Sequence, residues 1–451
     1  MKTNVARILF AGVSSGCGKT TVVCAVLQAL VNRGEAVRSF KCGPDYIDPM
    51  FHKKAIGVEG SNLDSFFYDD NTLRFLLSDN AKGASVAVIE GVMGYYDGRG
   101  ISTCQNSTYE LAKTVRSPVV LIINAKGMSY SVLAVIRGFL AQRGDNRIAG
   151  VILNNMSEPT YKQIKAAIER EFGPSVRPLG YLPQRTDCAL ESRHLGLITA
   201  EEVSDVKEKL QRLAAQAEKS IDIDGLMALA NSAGALAYDE VPFQRFVERP
   251  RIAVAMDRAF CFYYPDNLKL LERMGAGIIP FSPLADKALP ECDGLYLCGG
   301  YPELYAAELA NNESMRQSVG AALGRGLPCV AECGGFMYLT ENIEGAPMVG
   351  AIKGGCENKN KLVRFGYVEL TAKADNMLCR AGETIRAHCF HHYDAENIGD
   401  SFYAAKNESV GWSCIFASHT LYAGFPHIPF YSNLGFAENF LSACLKYAKE
   451  A

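Results

Sequence analysis

Two stretches of this 451-residue sequence hold residue types whose order could do chemistry. The first, Gly12-Val13-Ser14-Ser15-Gly16-Cys17-Gly18-Lys19-Thr20-Thr21, follows the apolar run ARILFAG and opens a helical pattern. Glycines let the backbone curl until successive N–H groups point at phosphate oxygens, and the helix N-terminus adds its dipole. Gly12, Ser14, Ser15, Gly16, Cys17, Gly18, Lys19, Thr20 and Thr21 would then wrap a nucleotide. Lys19 would neutralise the β/γ charge, and the Thr20 hydroxyl would ligate Mg2+. The usual spacing asks for glycine at position 13, where valine stands; the nearest glycine comes one residue earlier.

Two further clusters close predicted strands, the end of an open α/β sheet at which ligands bind. One is Lys41-Cys42-Gly43-Pro44-Asp45-Tyr46-Ile47-Asp48-Pro49, with Phe51-His52 behind it; the other runs Glu90-Gly91-Val92-Met93-Gly94-Tyr95-Tyr96-Asp97-Gly98. Glu90 ends an apolar run, the place for a carboxylate that holds Mg2+ directly or through water. Asp45 and Asp48 could bind metal or position a substrate; the bland alternative is a solvated turn with an Asx cap. His52 by itself reads as structural.

The second chemical stretch is Val330-Ala331-Glu332-Cys333-Gly334-Gly335-Phe336-Met337, which puts a thiol between a predicted strand and a helix. A sharp strand-to-helix turn exposes its nucleophile and needs small neighbours, and the helix N-terminus favours a thiolate. The Gly334 amide, with those of Gly300 and Tyr301 in Gly299-Gly300-Tyr301-Pro302-Glu303, is the expected oxyanion hole. Of the histidines at 52, 194, 388, 391, 392, 419 and 427, His427 is the predicted base, because Cys–His enzymes of this kind carry it between a late strand and the closing helix; His419 is its competitor. Many such enzymes place a carboxylate two residues after the base, but that position is Pro429. A Cys–His dyad follows, or a third partner lying elsewhere.

The elements that must position these groups alternate in the first half. Apolar runs at 6–12, 36–40, 85–91, 118–124 and 149–155, with a sixth at 176–183, are separated by helical patterns at 19–33, 107–116, 129–142 and 159–172. Such alternation predicts a parallel sheet covered on both faces. A second series starts at 251–257 and continues at 275–281, 294–300 and 327–333; residues 362–430 look antiparallel, and 433–448 should close the chain as a helix. The expected organisation is α/β throughout: a P-loop domain at 1–220, a linker at 221–249 and a second α/β domain at 250–451.

Composition limits what such a chain can be. With 46 basic and 49 acidic residues it carries no chain-wide charge for nucleic acid, and no apolar run is long enough to span a membrane. Fifteen cysteines with no C-x-x-C pair read as reduced thiols of a cytoplasmic protein.

Taken together, the motifs resemble the cobyrinic acid a,c-diamide synthase family, glutamine-dependent ligases of cobalamin biosynthesis. The resemblance runs from about residue 5 to 445 and rests on G-V-S-S-G-C-G-K-T-T, F-K-C-G-P-D-Y-I-D-P-x-F-H, E-G-V-M-G-x-x-D-G, G-G-Y-P-E-L and A-E-C-G-G-F-M-Y-L in that order. The shifted glycine matches P-loop proteins such as dethiobiotin synthetase and the MinD/ParA-like ATPases. Two departures stand out: His388-Cys389-Phe390-His391 lacks the family's glutamate, and His427-Ile428-Pro429-Phe430 lacks its second histidine. The resemblance implies a dethiobiotin synthetase-like amidoligase domain followed by a class I glutamine amidotransferase-like domain. It implies ATP and Mg2+ at the P-loop, with Thr20, Asp45 and Glu90 toward the metal. Asp45, Tyr46, Asp48 and Asp97 would face cobyrinic acid, and Cys333 and His427 would release ammonia from glutamine. A homodimer is its open oligomeric state. The same motifs fit hydrogenobyrinic acid or nickel-sirohydrochlorin as substrate. A ParA-like switch ATPase with a non-catalytic C-terminal module would leave E-C-G-G unexplained.

Overall fold

The computed structural model describes the backbone of residues 1–188 and 200–450, with side chains of 200–204 left aside; His194 falls outside the described residues. The chain divides into two compact units, Met1–Val241 and Pro242–Ala451.

Among the described residues, the first unit is built on seven parallel strands: β1 (Arg7–Gly12), β2 (Val37–Cys42), β3 (Gly60–Leu63), β4 (Val86–Glu90), β5 (Val119–Asn124), β6 (Ile148–Asn154) and β7 (Arg177–Leu182). Their order is β3-β2-β4-β1-β5-β6-β7. β1 and β4 are buried along their whole length, which is why their sequences are continuous apolar runs and do not alternate. The edge strand β3, Gly-Ser-Asn-Leu, was not expected; it has no β-branched residue to announce it. Register carries the functional consequence. Phe10 pairs with Glu90, and Glu90 pairs with Lys41. The phosphate loop, the acidic strand end and the lysine therefore lie side by side at the C-terminal edge.

The segment 221–249 is not a simple linker. Its first part forms a helix, Ile223–Asn231, capped by Asp222 accepting from Gly225 N–H. Ile223, Leu226, Leu229 and Ala230 enter the same core as Leu210, Leu213, Ala214 and Ala217 of the helix Ala200–Ser220 and Val22, Val26 and Leu30 of the helix Lys19–Asn32. The apolar spacing of three and four residues explains why this piece folds onto the sheet. Leu226 is 3% exposed. Leu226→Ala should cost about 2–4 kcal/mol, read as a lower denaturant midpoint at unchanged slope; a change under about 0.5 kcal/mol would return this helix to the status of a surface linker.

In the second unit β8 (Arg251–Ala255), β9 (Gly277–Phe281), β10 (Gly294–Leu297) and β11 (Cys329–Glu332) are joined by a late hairpin. A separate antiparallel layer comes between: the 21-residue β12 (Ile352–Ala372) pairs with β13 (Thr384–Ala395) and β14 (Phe402–Ala405), and β14 with β15 (Gly411–Cys414). The hairpin β16 (Phe416–Ala417) and β17 (Leu421–Gly424) completes the main sheet, in the order β9-β8-β10-β11-β17-β16. β11 and β17 are parallel neighbours, with Glu332 opposite Gly424. All fifteen cysteines are unpaired.

Candidate active site

In the first unit the helix Lys19–Asn32 begins at Gly18, whose φ of 92° is left-handed, and no side chain caps it. Its first N–H groups are thus left for an anion. A Cβ at Gly12 would run into Cys17 Sγ and the Lys19 stem, so glycine is required where the loop folds over the strand end. That accounts for glycine at 12. Asn154, at the end of β6, donates to Cys17 O at 3.0 Å and holds the loop from the far side. Lys19 Nζ rests on the carbonyls of Ser14 (3.1 Å) and Met93 (2.5 Å), a parked position it would exchange for phosphate oxygens.

Beside the loop lies a buried charge cluster. Thr20 donates its hydroxyl to Glu90 Oε1 at 2.7 Å, Lys41 Nζ reaches the same oxygen at 3.0 Å, and Lys41 is also paired with Asp48. Burial alone would lower the Lys41 pKa, but Glu90, Asp48 and Asp45 outweigh it and hold the ammonium above its ordinary value. Burial raises Glu90 and Asp45, with Lys41 opposing. Asp45 spends Oδ1 on Ile47 N–H at 2.9 Å, the Asx turn that opens the helix Ile47–Phe51. Tyr46 is buried beside it, and Asp97 accepts from Gly94 N–H at 2.8 Å. Among the described residues no three His, Cys, Asp or Glu side chains form a metal cage of their own. Mg2+ bound with a nucleotide asks for only one or two protein oxygens, and the Thr20 hydroxyl and Glu90 fit that demand. Glu90 Oε2 is buried without a hydrogen-bond partner.

In the second unit Cys333 sits one residue past β11 with φ 48° and ψ −106°. A non-glycine residue held there stores about 1–3 kcal/mol of strain, kept in place by Cys333 N–H donating to Gly424 O at 2.8 Å. The helix Gly334–Leu339 starts directly behind it. His427 lies three residues past β17 and is gripped by β13 through His388 N–H to His427 O (3.1 Å) and His427 N–H to His388 O (2.9 Å). Asn267 closes the other side, donating to Ile428 O and accepting from Phe430 N–H, both at 2.8 Å. A side chain at Gly299 would overlap the His427 ring.

The decisive contact is one residue upstream of the thiol. Glu332 Oε2 lies 3.8 Å from His427 Nδ1, while its Oε1 accepts from Ile428 N–H at 3.0 Å and its Oε2 accepts from Tyr296 O–H at 3.0 Å. Burial would lower His427, but the hydrogen bond its protonated ring donates to the Cys333 sulfur, together with the Glu332 carboxylate, overcomes it and raises the imidazole to about 9.

Two family models match. A CobQ/CobB/MinD/ParA nucleotide-binding domain covers residues 8–198, and a CobB/CobQ-like glutamine amidotransferase domain covers 251–434. The cobyrinate a,c-diamide synthase of Listeria monocytogenes serotype 4b is 39% identical over 95% of this chain and 97% of its own. That of Thermoplasma volcanium is 39% identical over 99% of both chains, and that of Clostridium acetobutylicum 38% over 96% and 99%. The chain belongs to the cobyrinate a,c-diamide synthase family. It is a glutamine-hydrolysing ligase with a P-loop NTPase domain and an amidotransferase domain.

For this member of the family, the geometry changes two readings. The Tyr301 N–H donates to Ala259 O at 2.9 Å, which withdraws it from the expected oxyanion pair; Gly300 N and Gly334 remain packed together. Glu332 stands where the third partner left unplaced in the sequence would be, 3.8 Å from His427 Nδ1. Its signal was the E of E-C-G-G, a residue one would pass over because side chains alternate along a strand. Glu332→Gln keeps the shape while removing the charge. The glutaminase rate should fall by about 10²-fold or more, and its alkaline limb should move to lower pH, because the carboxylate supports the imidazolium. Ammonium-driven ligation should be unchanged; an unshifted limb would remove Glu332 from this role.

Proposed function

We propose that this chain amidates the a and c carboxylates of cobyrinic acid, using ATP and ammonia from glutamine, in cobalamin biosynthesis. The observation that carries the proposal is the presence on one chain of two complete centres, a phosphate cradle beside a buried acidic cluster and a strained cysteine against a Glu-backed histidine. Relatives that match over nearly the full length bear that enzyme's name.

Amidation of a carboxylate in water is uphill until its oxygen becomes a leaving group. Gly16, Gly18 and the open helix N-terminus bind the triphosphate, and Lys19 leaves its parked position for the β/γ oxygens. Thr20 and Glu90 would hold Mg2+, which would supply charge neutralisation on the phosphates. A substrate carboxylate positioned by Asp45, Tyr46, Asp48 and Asp97 attacks the γ-phosphorus in line, ADP leaves, and an acyl phosphate results.

In the second centre His427 takes the Cys333 proton, and the thiolate attacks the glutamine amide carbon. Gly300 and Gly334 amides hold the oxyanion. The imidazolium returns its proton to the departing nitrogen, ammonia leaves, and water hydrolyses the thioester to glutamate. Unprotonated ammonia then displaces phosphate from the acyl phosphate. The two carboxylates are amidated in turn. The first unit is thus the synthetase and the second the glutaminase.

The test is mass spectrometry of cobyrinic acid incubated with the protein, ATP, Mg2+ and glutamine. A gain of two amide groups, with 18O from labelled carboxylate appearing in phosphate, is the expected result. No amide with cobyrinic acid, and amide with nickel-sirohydrochlorin, would move the reading to the second substrate.

A further inference from the structure

Beneath the acidic cluster a histidine is placed in a way that neither the resemblance nor the family models explain. His52 is 1% exposed and begins a short π-helical segment, His52–Ile56, that continues the helix Ile47–Phe51. π turns rotate side chains out of α register, and they recur at functional sites. His52 Nδ1 lies 3.1 Å from Ser39 Oγ on β2. Its Nε2 points at Glu90 Oε2 from 3.7 Å, and these two buried atoms have no other hydrogen-bond partner. Buried polar atoms are as a rule hydrogen-bonded, so two orphaned ones at that separation are natural partners for one another.

The tautomer follows from the surroundings. The ring is 1% exposed, and its two nitrogens face one group each, Ser39 Oγ and Glu90 Oε2. The Ser39 hydroxyl could donate to Glu59 O, but that distance is 3.5 Å against 3.1 Å to the ring. Donation to Glu59 would also leave an Nε2 lone pair facing a carboxylate oxygen. The shorter bond and the electrostatics agree: Nδ1 accepts from Ser39, and Nε2 carries the proton toward Glu90.

We propose that His52, fixed as the Nε2–H tautomer by Ser39, is the positioning residue for Glu90, taking up its Oε2 so that Oε1 faces the metal site. In the present arrangement Thr20 donates to Oε1 at 2.7 Å. The Thr20 hydroxyl has lone pairs to offer a nucleotide-bound cation, and a movement of under an ångström brings Oε2, now 3.7 Å away, within hydrogen-bond length of Nε2–H. The carboxylate then keeps two fixed supports, Lys41 and His52. This inference rests on the reading of Glu90 as a metal-side carboxylate.

The test uses Mn2+ as the cation and a non-hydrolysable ATP analogue, with bound Mn2+ counted by electron paramagnetic resonance on the full chain. No corrinoid is needed, so failure of the substrate reading leaves this experiment standing. Glutamine places an amide N–H near the Nε2 position, whereas asparagine places it near Nδ1 and does not reach Glu90. His52→Gln should bind Mn2+ within about 3-fold of wild type, while His52→Asn and His52→Ala should weaken it about 10- to 100-fold. Ser39→Ala should shift it in the same direction by less. Thermal unfolding of the full chain serves as the folding control and should stay close to wild type in all four, and glutaminase activity should be unchanged. Equal Mn2+ affinity in the Gln and Asn variants, or affinity unaltered in all of them, would overturn the proposal. Unchanged affinity in Glu90→Gln as well would locate the error in the metal-side reading of Glu90.

Discussion

Cys333→Ala is expected to abolish glutamine-driven amidation while ammonium-driven amidation continues at the wild-type rate. The thiol is the only group at its turn that can form the thioester, so its removal should lower the glutaminase rate by a factor on the order of 10⁴ or more. Alanine occupies the same strained backbone, φ 48°, and fits a side-chain position that is 6% exposed. The fold should therefore survive. High ammonium at pH near 9 supplies enough free ammonia to bypass the missing chemistry. The same variant reports on His427. With the thiol gone, its largest stabilising contact is lost, and the imidazole should titrate well below its present value of about 9. In the wild type a raised histidine stabilises the fold fully below its ordinary value of 6.5, and that contribution disappears as pH rises through about 9. Cys333→Ala should flatten this alkaline loss in a thermal-unfolding series. Retained glutaminase activity would transfer the nucleophile elsewhere.

Lys41→Met should be the most damaging single change in the first unit. Lys41 is the cation set among Glu90, Asp48 and Asp45, and its side chain is 7% exposed. Methionine matches the stem but leaves buried carboxylates without a counter-charge. Removing one partner of a buried pair costs about 3–5 kcal/mol. Both glutamine- and ammonium-driven amidation should fail, because Glu90 loses one of its two Oε1 contacts. The pH dependence separates this from simple loss of packing. Lys41 has a folded pKa raised above its ordinary 10.5, so its contribution is complete below that value and is lost only at higher pH. Glu90 and Asp45 are raised by burial, and without Lys41 they rise further. A carboxyl with a raised folded pKa costs stability above its ordinary range and recovers it as protons bind. The variant should therefore gain stability between pH 7 and 5 relative to wild type. A uniform deficit across that window would assign the loss to packing alone.

Much of this molecule is legible in one dimension wherever function and local geometry coincide. A phosphate loop is contiguous because neighbouring N–H groups must converge on one anion, so G-V-S-S-G-C-G-K-T-T could be read directly. The strand-to-helix cysteine is contiguous for the same reason. Strands buried on both faces declare themselves as unbroken apolar runs, which is why β1, β4, β5 and β6 were anticipated while the polar edge strand β3 was not. The helix Ile223–Asn231 was taken for linker because nine residues with one apolar stripe are weak evidence without the face they cover.

The sequence by itself determined the two domain types and the family, through a phosphate loop and a strand-to-helix cysteine that are each contiguous in the chain. Only the tertiary structure decided which distant groups serve them. Strand order, not sequence distance, brings Lys41 and Glu90 together across 49 positions, and pairing of β11 with β17 sets Glu332 against a histidine 95 positions later in place of the residue at Pro429. Whether an amide such as that of Tyr301 remains free depends on what its neighbour accepts. The physical reason is the same in each case: hydrogen bonds and ion pairs are settled by separations of a few ångströms in space, and the chain records those separations only after the sheets have formed.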